Sequence, residues 1–594
     1  MQPAAWPEPD PQIAAAIAVK YRGKRPRPLA VLIRDQLGQW LADEDFAVAF
    51  GTRGRPGWPP SRLALVTVLQ RAENLADRQA AEAARTRIDW QYLLGLPLDD
   101  PGFDHTVLAE FRARVAEAGL EQVALDALLA RLAAGGLVKA GGKQRTDSTH
   151  VVAAVAALNR LELAGESVRA ALEALAAAHP AWVERRICVP DFARRYGTPM
   201  TSWRPPVSQA RRDELAIAYA RDGYALLEAV YDSSAPAWLR EIPAVDVLRR
   251  VLLQNYTRVI SQDGREVIRR REKEPEGDGL PPGHMRIASP YDLDARWGVK
   301  REEFWLGYKL HITETCDDAP PCSCRAAACP AAEGAAAGGR DGGDREHDKG
   351  CAHLVFPNLI THVATTDATV TDNQMTGAVH DDLAGKNLAP GQHYLDSGYL
   401  SAAVVVSALT TWGIALIGPL LADTSAQARA GHGFARADFA ADYDTRTVTC
   451  PQGRTSVSWT PCTQHGKDAI VATFSAGDCG PCPARSLCTT GKRRQLTLMP
   501  RDLAEAQAAA RSAETTTGFQ ADYARRAGVE GTMHQAASHG ARRARYRGLP
   551  KTRLDHVYMA CALNLLRLEA YWTSTPLDRQ RTSHLARLEL GLVA

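Results

Sequence analysis

Residues 393–400 read HYLDSGYL and residues 141–155 read GGKQRTDSTHVVAAV. Each stretch sets an aspartate, Asp396 or Asp147, in a short run where packing alone would not select an acid. Tyr394-Leu395 followed by Asp396 and then Ser397-Gly398-Tyr399 reads as a buried strand running into a turn. The glycine pair Gly141-Gly142 precedes a run containing Thr and Val, which reads as a second buried strand with Asp147 at its middle. Sites in open α/β sheets are built at the carboxyl ends of strands. A single aspartate in such a place is more often a cap or turn residue, so the pair must be weighed against the rest of the chain.

Outward from these two strands, FWLGYKLHITET (304–315), NLITHVATTDATV (358–370) and GIALIGPL (413–420) are further strand candidates separated by helical patterns. That alternation predicts an α/β domain with a mixed sheet flanked by helices. Ahead of it, SRLALVTVLQ from Ser61, the start signal at Asp104 and ALDALLARLAAGGL predict an all-helical unit over residues 1–140. The α/β domain spans 141–573 and is interrupted three times. ESVRAALEALAAA and AVDVLRRVLLQNY mark a helical insertion over 159–290, a Gly/Ala-rich stretch over 316–352 reads as a mobile loop, and a Cys-rich insertion spans 420–495. LDHVYMACALNLLRLEAYW predicts a last amphipathic helix, with 574–594 as a tail.

The 594 residues are 45% hydrophobic and 23% charged, the balance of a folded, soluble protein. A net charge of +3, from 71 Lys and Arg against 68 Asp and Glu, is too small to point to nucleic acid by itself. No apolar stretch approaches the roughly 20 residues of a membrane span, and the opening lacks a signal-peptide pattern. The expectation is a cytoplasmic protein without membrane association.

Tyr523, Arg526 and Glu530 are spaced i, i+3, i+7, which places them on one face if the segment is a single helix. Alone, Arg526 and Glu530 would read as a surface ion pair, in the less favourable orientation. Phosphodiester chemistry at neutral pH needs an activated oxygen nucleophile and compensation for charge on the phosphoryl oxygens, and paired divalent metals supply both. A few carboxylates suffice to hold Mg²⁺.

DSTHV around Asp147, HYLDSGYL around Asp396 and the Tyr523, Arg526, Glu530 spacing together resemble the signature of bacterial insertion-sequence DD-E transposases. FGTRGRPGWPPSRLALVTVLQ with DWQYLLGLPLDDPGFDHTVLAEFRAR is similar to the helical domain preceding the catalytic domain in one branch of that family, and SPYDLDARWGVKREEFWLGYKLHITETC to its second-strand region. The resemblance implies an RNase H-like catalytic domain with Asp147 on the first strand, Asp396 on the fourth and Glu530 on a late helix. It further implies that these three bind two Mg²⁺ ions, replaceable by Mn²⁺, and that Tyr523 and Arg526 touch the DNA backbone near the cut. The implied partners are the terminal inverted repeats and target DNA, engaged by a homodimer, so that the cytoplasmic protein would be nucleoid-associated when bound.

The family pattern often carries a basic residue seven positions after the glutamate, and here that position is Ala537. Arg542, Arg543, Arg545 and Arg547, in the most basic stretch of the chain, are the candidates to neutralise phosphates instead. Base reading is expected from the helical unit, through Arg53, Arg55, Arg112 and Arg114. A catalytically silent DNA-binding descendant and a nuclease without strand transfer are the competing readings.

Between the second aspartate and the glutamate, Cys450, Cys479, Cys482 and Cys488 form a candidate tetrahedral Zn²⁺ site. Cys462 and His465 are alternative ligands, and four unlinked thiols are the alternative state. Cys316, Cys322, Cys324, Cys329 and Cys351 fall in the Gly/Ala stretch, which preorganises poorly for a metal.

Overall fold

The computed structural model describes residues 6–573 except 24, 52–56, 203–205, 273–278, 301 and 318–356. Arg53, Arg55, Cys322, Cys324, Cys329, Cys351 and the 574–594 tail therefore lie outside the described residues. The chain opens with helices, among them Pro60–Ala72, Asp77–Thr86, Ile88–Leu94, Thr106–Glu117 and Val123–Ala134. Asp104 accepts from the backbone N–H and the hydroxyl of Thr106 at 2.9 and 2.6 Å, which fixes the start of one of them.

Strand β1 (Lys143–Val152) follows, then helices from Arg160 to Asn255 and a hairpin of β2 (Tyr256–Ile260) and β3 (Glu266–Arg270). Strands β4 (Arg296–Lys300), β5 (Glu303–Thr315), β6 (Ile360–Asp367), β7 (Gln392–Tyr394) and β8 (Ala415–Ile417) complete the main sheet with β1. β5 runs antiparallel to β1 from Gln144↔Thr315 to Val152↔Gly307, and β6 runs antiparallel to β5 on its other side. β7 is parallel to β1, and β8 is parallel to β7. Four antiparallel strands, with β4 and β6 both paired to β5 and β5 to β1, are continued by the two parallel strands β7 and β8; flanked by helices and preceded by a helical region, they make the mixed α/β architecture expected of an RNase H-like DD-E protein.

Close approach of β1 and β5 depends on Gly307, where a Cβ would lie 2.1 Å from the carbonyl oxygen of Val151. Cys316 is not a loop residue: its N–H donates to the carbonyl of Lys143 at 2.8 Å, extending the β1–β5 ladder, and its thiol is buried and pushed up to about 12 by that burial.

One apolar cluster joins N-terminal helices (Leu63, Val66, Leu69, Phe111), the sheet (Leu310, Ile312, Val363) and the last helix, Leu549–Trp572 (Leu554, Val557, Leu565). The helical insertion keeps its own cluster around Val168, Tyr219, Leu248 and Leu252. The Cys-rich region folds as strands β9 (Ala440–Asp442), β10 (Thr447–Thr449), β11 (Ser458–Gln464), β12 (Lys467–Thr473) and β13 (Gln495–Leu498) over a small core of Phe439, Val448, Phe474 and Leu496. Among the described residues no helix is long and apolar enough to cross a membrane.

Candidate active site

The register of β1 against β7 decides where the two aspartates meet. Arg145 lies opposite Tyr394 in this parallel pair, and each aspartate stands two residues further along, at 147 and 396. The Ser148 N–H donates to Asp147 Oδ1 at 2.8 Å, and the Gly398 N–H donates to Asp396 Oδ1 at 2.9 Å, so each carboxylate is oriented by a backbone N–H that follows it, the first within the strand and the second in a turn.

The third carboxylate arrives by a route that its spacing did not predict. Tyr523, Arg526 and Glu530 do not share one helix: Thr517–Tyr523 ends, a 3₁₀ turn covers Ala524–Ala527, and a new helix runs over Gly528–Ser538. The break follows from Arg145, whose Nη1 donates to the carbonyl of Arg525 at 2.6 Å. Its guanidinium passes so close that a Cβ on Gly528 would lie 2.0 Å from Nη1. Arg145 in turn pairs at 2.7 Å with Glu314, which is fully buried on β5 and also receives Arg567 at 2.8 Å and the hydroxyl of Thr532. This network clamps the Glu530 segment to β1, β5 and the last helix.

Arg526 occupies the middle of the site. Its Nη2 is 3.2 Å from Asp147 Oδ2 and 3.7 Å from Asp396 Oδ2, while its Nη1 is 3.4 Å from Glu530 Oε1. Asp147 is the most enclosed of the three, and burial raises its pKa above the usual aspartate value, assisted by Asp396 and opposed by Arg526 and the Ser148 N–H. Burial works against the charge of Arg526, yet Asp147, Tyr523, Asp396 and Glu530 together raise its pKa. Tyr523, stacked on Phe519 with centroids 5.8 Å apart, is kept protonated mainly by its own burial.

Several neighbours carried no motif that sequence reasoning could use. Lys309 on β5 is 3.4 Å from Asp372, at the start of helix Asp372–Gly385. That carboxylate borders the same turn as Asp396, since a Cβ on Gly398 would lie 3.1 Å from one and 3.2 Å from the other. Beneath them His311 Nδ1 and the Tyr399 hydroxyl are 2.7 Å apart; burial lowers the His311 pKa to about 4, which keeps the ring neutral.

Among the described residues no three His, Cys, Asp or Glu side chains meet as a ready metal site. The three acids surround a guanidinium instead, and hard oxygen donors with excess negative charge around a shared cation are a donor set suited to Mg²⁺. The four thiols of the Cys-rich region do not close into the expected Zn²⁺ cage either. Cys450, Cys479 and Cys488 border its small core, and burial raises the pKa of Cys488, with Arg494 opposing and Cys479, Cys450 and Cys482 assisting. The thiols are thus gathered at one edge without converging on a single point.

Of the basic residues, Arg542 and Arg543 are exposed beside the end of β1, where Val152 bridges to Arg543 and Arg542 Nε donates to Thr149 at 3.2 Å. Arg545 is engaged by Asn74 and the Leu75 carbonyl, and Arg547 lies 5.5 Å from the centroid of the Tyr291 ring. Arg112 is not free to read bases: it is buried, paired with Asp77 at 2.5 Å and stacked on Tyr546. Arg114 remains half-exposed, over Phe50.

Comparison with known families matches residues 449–569 to the transposase DDE domain and residues 19–114 to the transposase domain DUF772. Both matched models are transposase domains, which supports a transposase of the bacterial insertion-sequence DDE type. No curated protein and no solved structure matches it. The DDE match covers Glu530, Arg526 and most of the last helix, while Asp147 and Asp396 fall outside the matched span and join the site through the sheet.

Proposed function

We propose that this protein acts as a transposase that binds the ends of its insertion sequence and cuts and rejoins DNA at a centre formed by Asp147, Asp396 and Glu530. The observation that supports this reading is the convergence of the three carboxylates on one guanidinium at 3.2 to 3.7 Å, from a strand middle, a strand end and a late helix. Two Mg²⁺ ions, or Mn²⁺ in their place, would be held by these oxygens and would activate the attacking oxygen and stabilise the leaving one. The chain's own part is to fix the carboxylates through the Ser148 and Gly398 N–H groups, and to hold the Glu530 segment through Arg145 and Glu314. Tyr523 and Arg526 would touch the DNA backbone near the cut, with Arg542 and Arg543 adding further phosphate contacts. Two protomers would pair the two ends in the cytoplasm, on nucleoid DNA.

Strand cleavage and joining of labelled terminal-repeat DNA test the reading. Asp147→Ala, Asp396→Ala and Glu530→Ala should each abolish both steps while end binding persists, because the acids act as a unit. Near-normal turnover in any of the three overturns the assignment. Cleavage without joining by the unaltered protein makes it a nuclease, and silence makes it a DNA-binding descendant.

A further inference from the structure

A guanidinium among three acids can be a permanent structural partner or a temporary one, and the distances separate these cases. The permanent kind is present in the same molecule: Glu314 meets Arg145 at 2.7 Å and Arg567 at 2.8 Å, with all groups buried. Those are the lengths of well-made charge-assisted hydrogen bonds. Arg526 makes contacts of 3.2, 3.4 and 3.7 Å, each to a different carboxylate, with no bidentate fork. Its Nε is buried without a hydrogen-bond partner. The seat is therefore electrostatically attractive and geometrically poor.

We propose that Arg526 is an internal counter-cation, holding the place of the divalent ions among Asp147, Asp396 and Glu530 until ion binding expels it toward the DNA backbone. This rests on the reading of the three acids as the ion ligands. One positive charge faces three carboxylates, so the site keeps an excess of negative charge even with Arg526 seated. A Mg²⁺ ion carries twice the charge and approaches carboxylate oxygens to about 2.1 Å. Its attraction per carboxylate is then roughly three times that of a guanidinium at 3.2 Å, before dehydration is counted. Both cations cannot occupy the same space, so ion entry must move the guanidinium. Arg526 lies in the turn directly after Tyr523, and displacement exposes a cation next to the reacting strand. By linkage, DNA that captures Arg526 would tighten ion binding by the same factor that the ion tightens DNA binding.

The test is Mn²⁺ binding to the full-length, DNA-free protein, followed by electron paramagnetic resonance, with melting curves to check folding. Arg526→Gln should bind Mn²⁺ at least tenfold more tightly than the unaltered protein, and Arg526→Lys should fall between them. Asp147→Asn should weaken binding in every background. Equal Mn²⁺ affinity in the unaltered, Gln and Lys proteins, with Asp147→Asn still weakening it, overturns the counter-cation while leaving the ion site intact. Affinity that ignores Asp147→Asn overturns both the ion site and the counter-cation. If Arg526→Gln fails to fold, the Lys variant alone decides: tighter binding supports displacement, and unchanged or weaker binding overturns it.

Discussion

Asp147 carries a cost in the metal-free protein that its neighbours do not remove. Burial raises its pKa, and the opposing pull of Arg526 and the Ser148 N–H does not cancel that rise. A carboxyl whose folded pKa exceeds its unfolded value binds protons preferentially in the folded state. Its stabilising contribution is complete below the unfolded pKa, about 3.9, and is lost as pH rises through the folded value. Asp147→Asn should therefore raise the melting temperature of the metal-free protein at neutral pH, and the advantage should vanish as pH falls below about 4. A variant no more stable than the unaltered protein at pH 7, in paired thermal scans, would contradict this account. Asp147 and Asp396 were legible in the sequence because an acid inside an apolar or β-branched run has no packing reason to be there. Arg145 and Glu314 were not, because their meaning lies in a pairing across 169 positions. Arg112 was misread because charge in a sequence does not reveal whether a partner such as Asp77 has already claimed it.

Among the elements, alternation of strands and helices was readable, whereas register was not. The parallel pairing of β1 with β7 brings the aspartates together, and nothing local to either strand specifies it. The Tyr523 to Glu530 spacing would put these residues on one face of a single helix, yet Arg145 captures the Arg525 carbonyl and the chain tightens into a 3₁₀ turn there. Long-range hydrogen bonding overrode a local periodicity. The segment from Ala541 to Gly548 shows the same dependence, since it joins the end of β1 through the Val152 to Arg543 bridge. That places Arg542 and Arg543 on one exposed surface, while Arg545 is spent on Asn74 and Leu75. Replacing Arg542 and Arg543 by Ala should flatten the slope of log affinity against log salt by about 2, similarly for terminal-repeat and random duplexes. Replacing Arg545 should instead lower stability more than it changes the slope. Filter binding across a salt series distinguishes them, and an unchanged slope in the double variant would remove these arginines from the DNA surface.

For the whole molecule, the shared apolar cluster makes the N-terminal helices part of the catalytic core's own packing. Helix Pro60–Ala72 and helix Leu549–Trp572 meet through Arg71 and Asp555, side chains only 1% and 5% exposed, at 3.4 Å. Arg71 also donates to the carbonyl of His539 at 3.1 Å, next to the helix that carries Glu530. Burial works against the charge of Arg71, and Asp555 offsets it. Removing one partner of such a pair leaves a buried, uncompensated charge at about 3–5 kcal/mol, whereas replacing both by apolar residues is often neutral. Asp555→Ala should therefore destabilise the protein by about that amount, and Arg71→Met with Asp555→Leu should recover most of the loss. Because Leu63, Val66 and Leu69 share their cluster with Leu554, Val557 and Leu565, unfolding of the helical unit and the sheet should coincide in a single transition. Removing residues 1 to about 130 would likewise uncover the apolar face of the last helix and leave an aggregating product rather than a weak, salt-sensitive DNA binder. Denaturation followed by tryptophan emission, together with protease resistance of the sheet, checks this. An N-terminal unit that unfolds first and leaves the sheet protected would show two independent bodies, and the Arg71–Asp555 pair would then couple nothing.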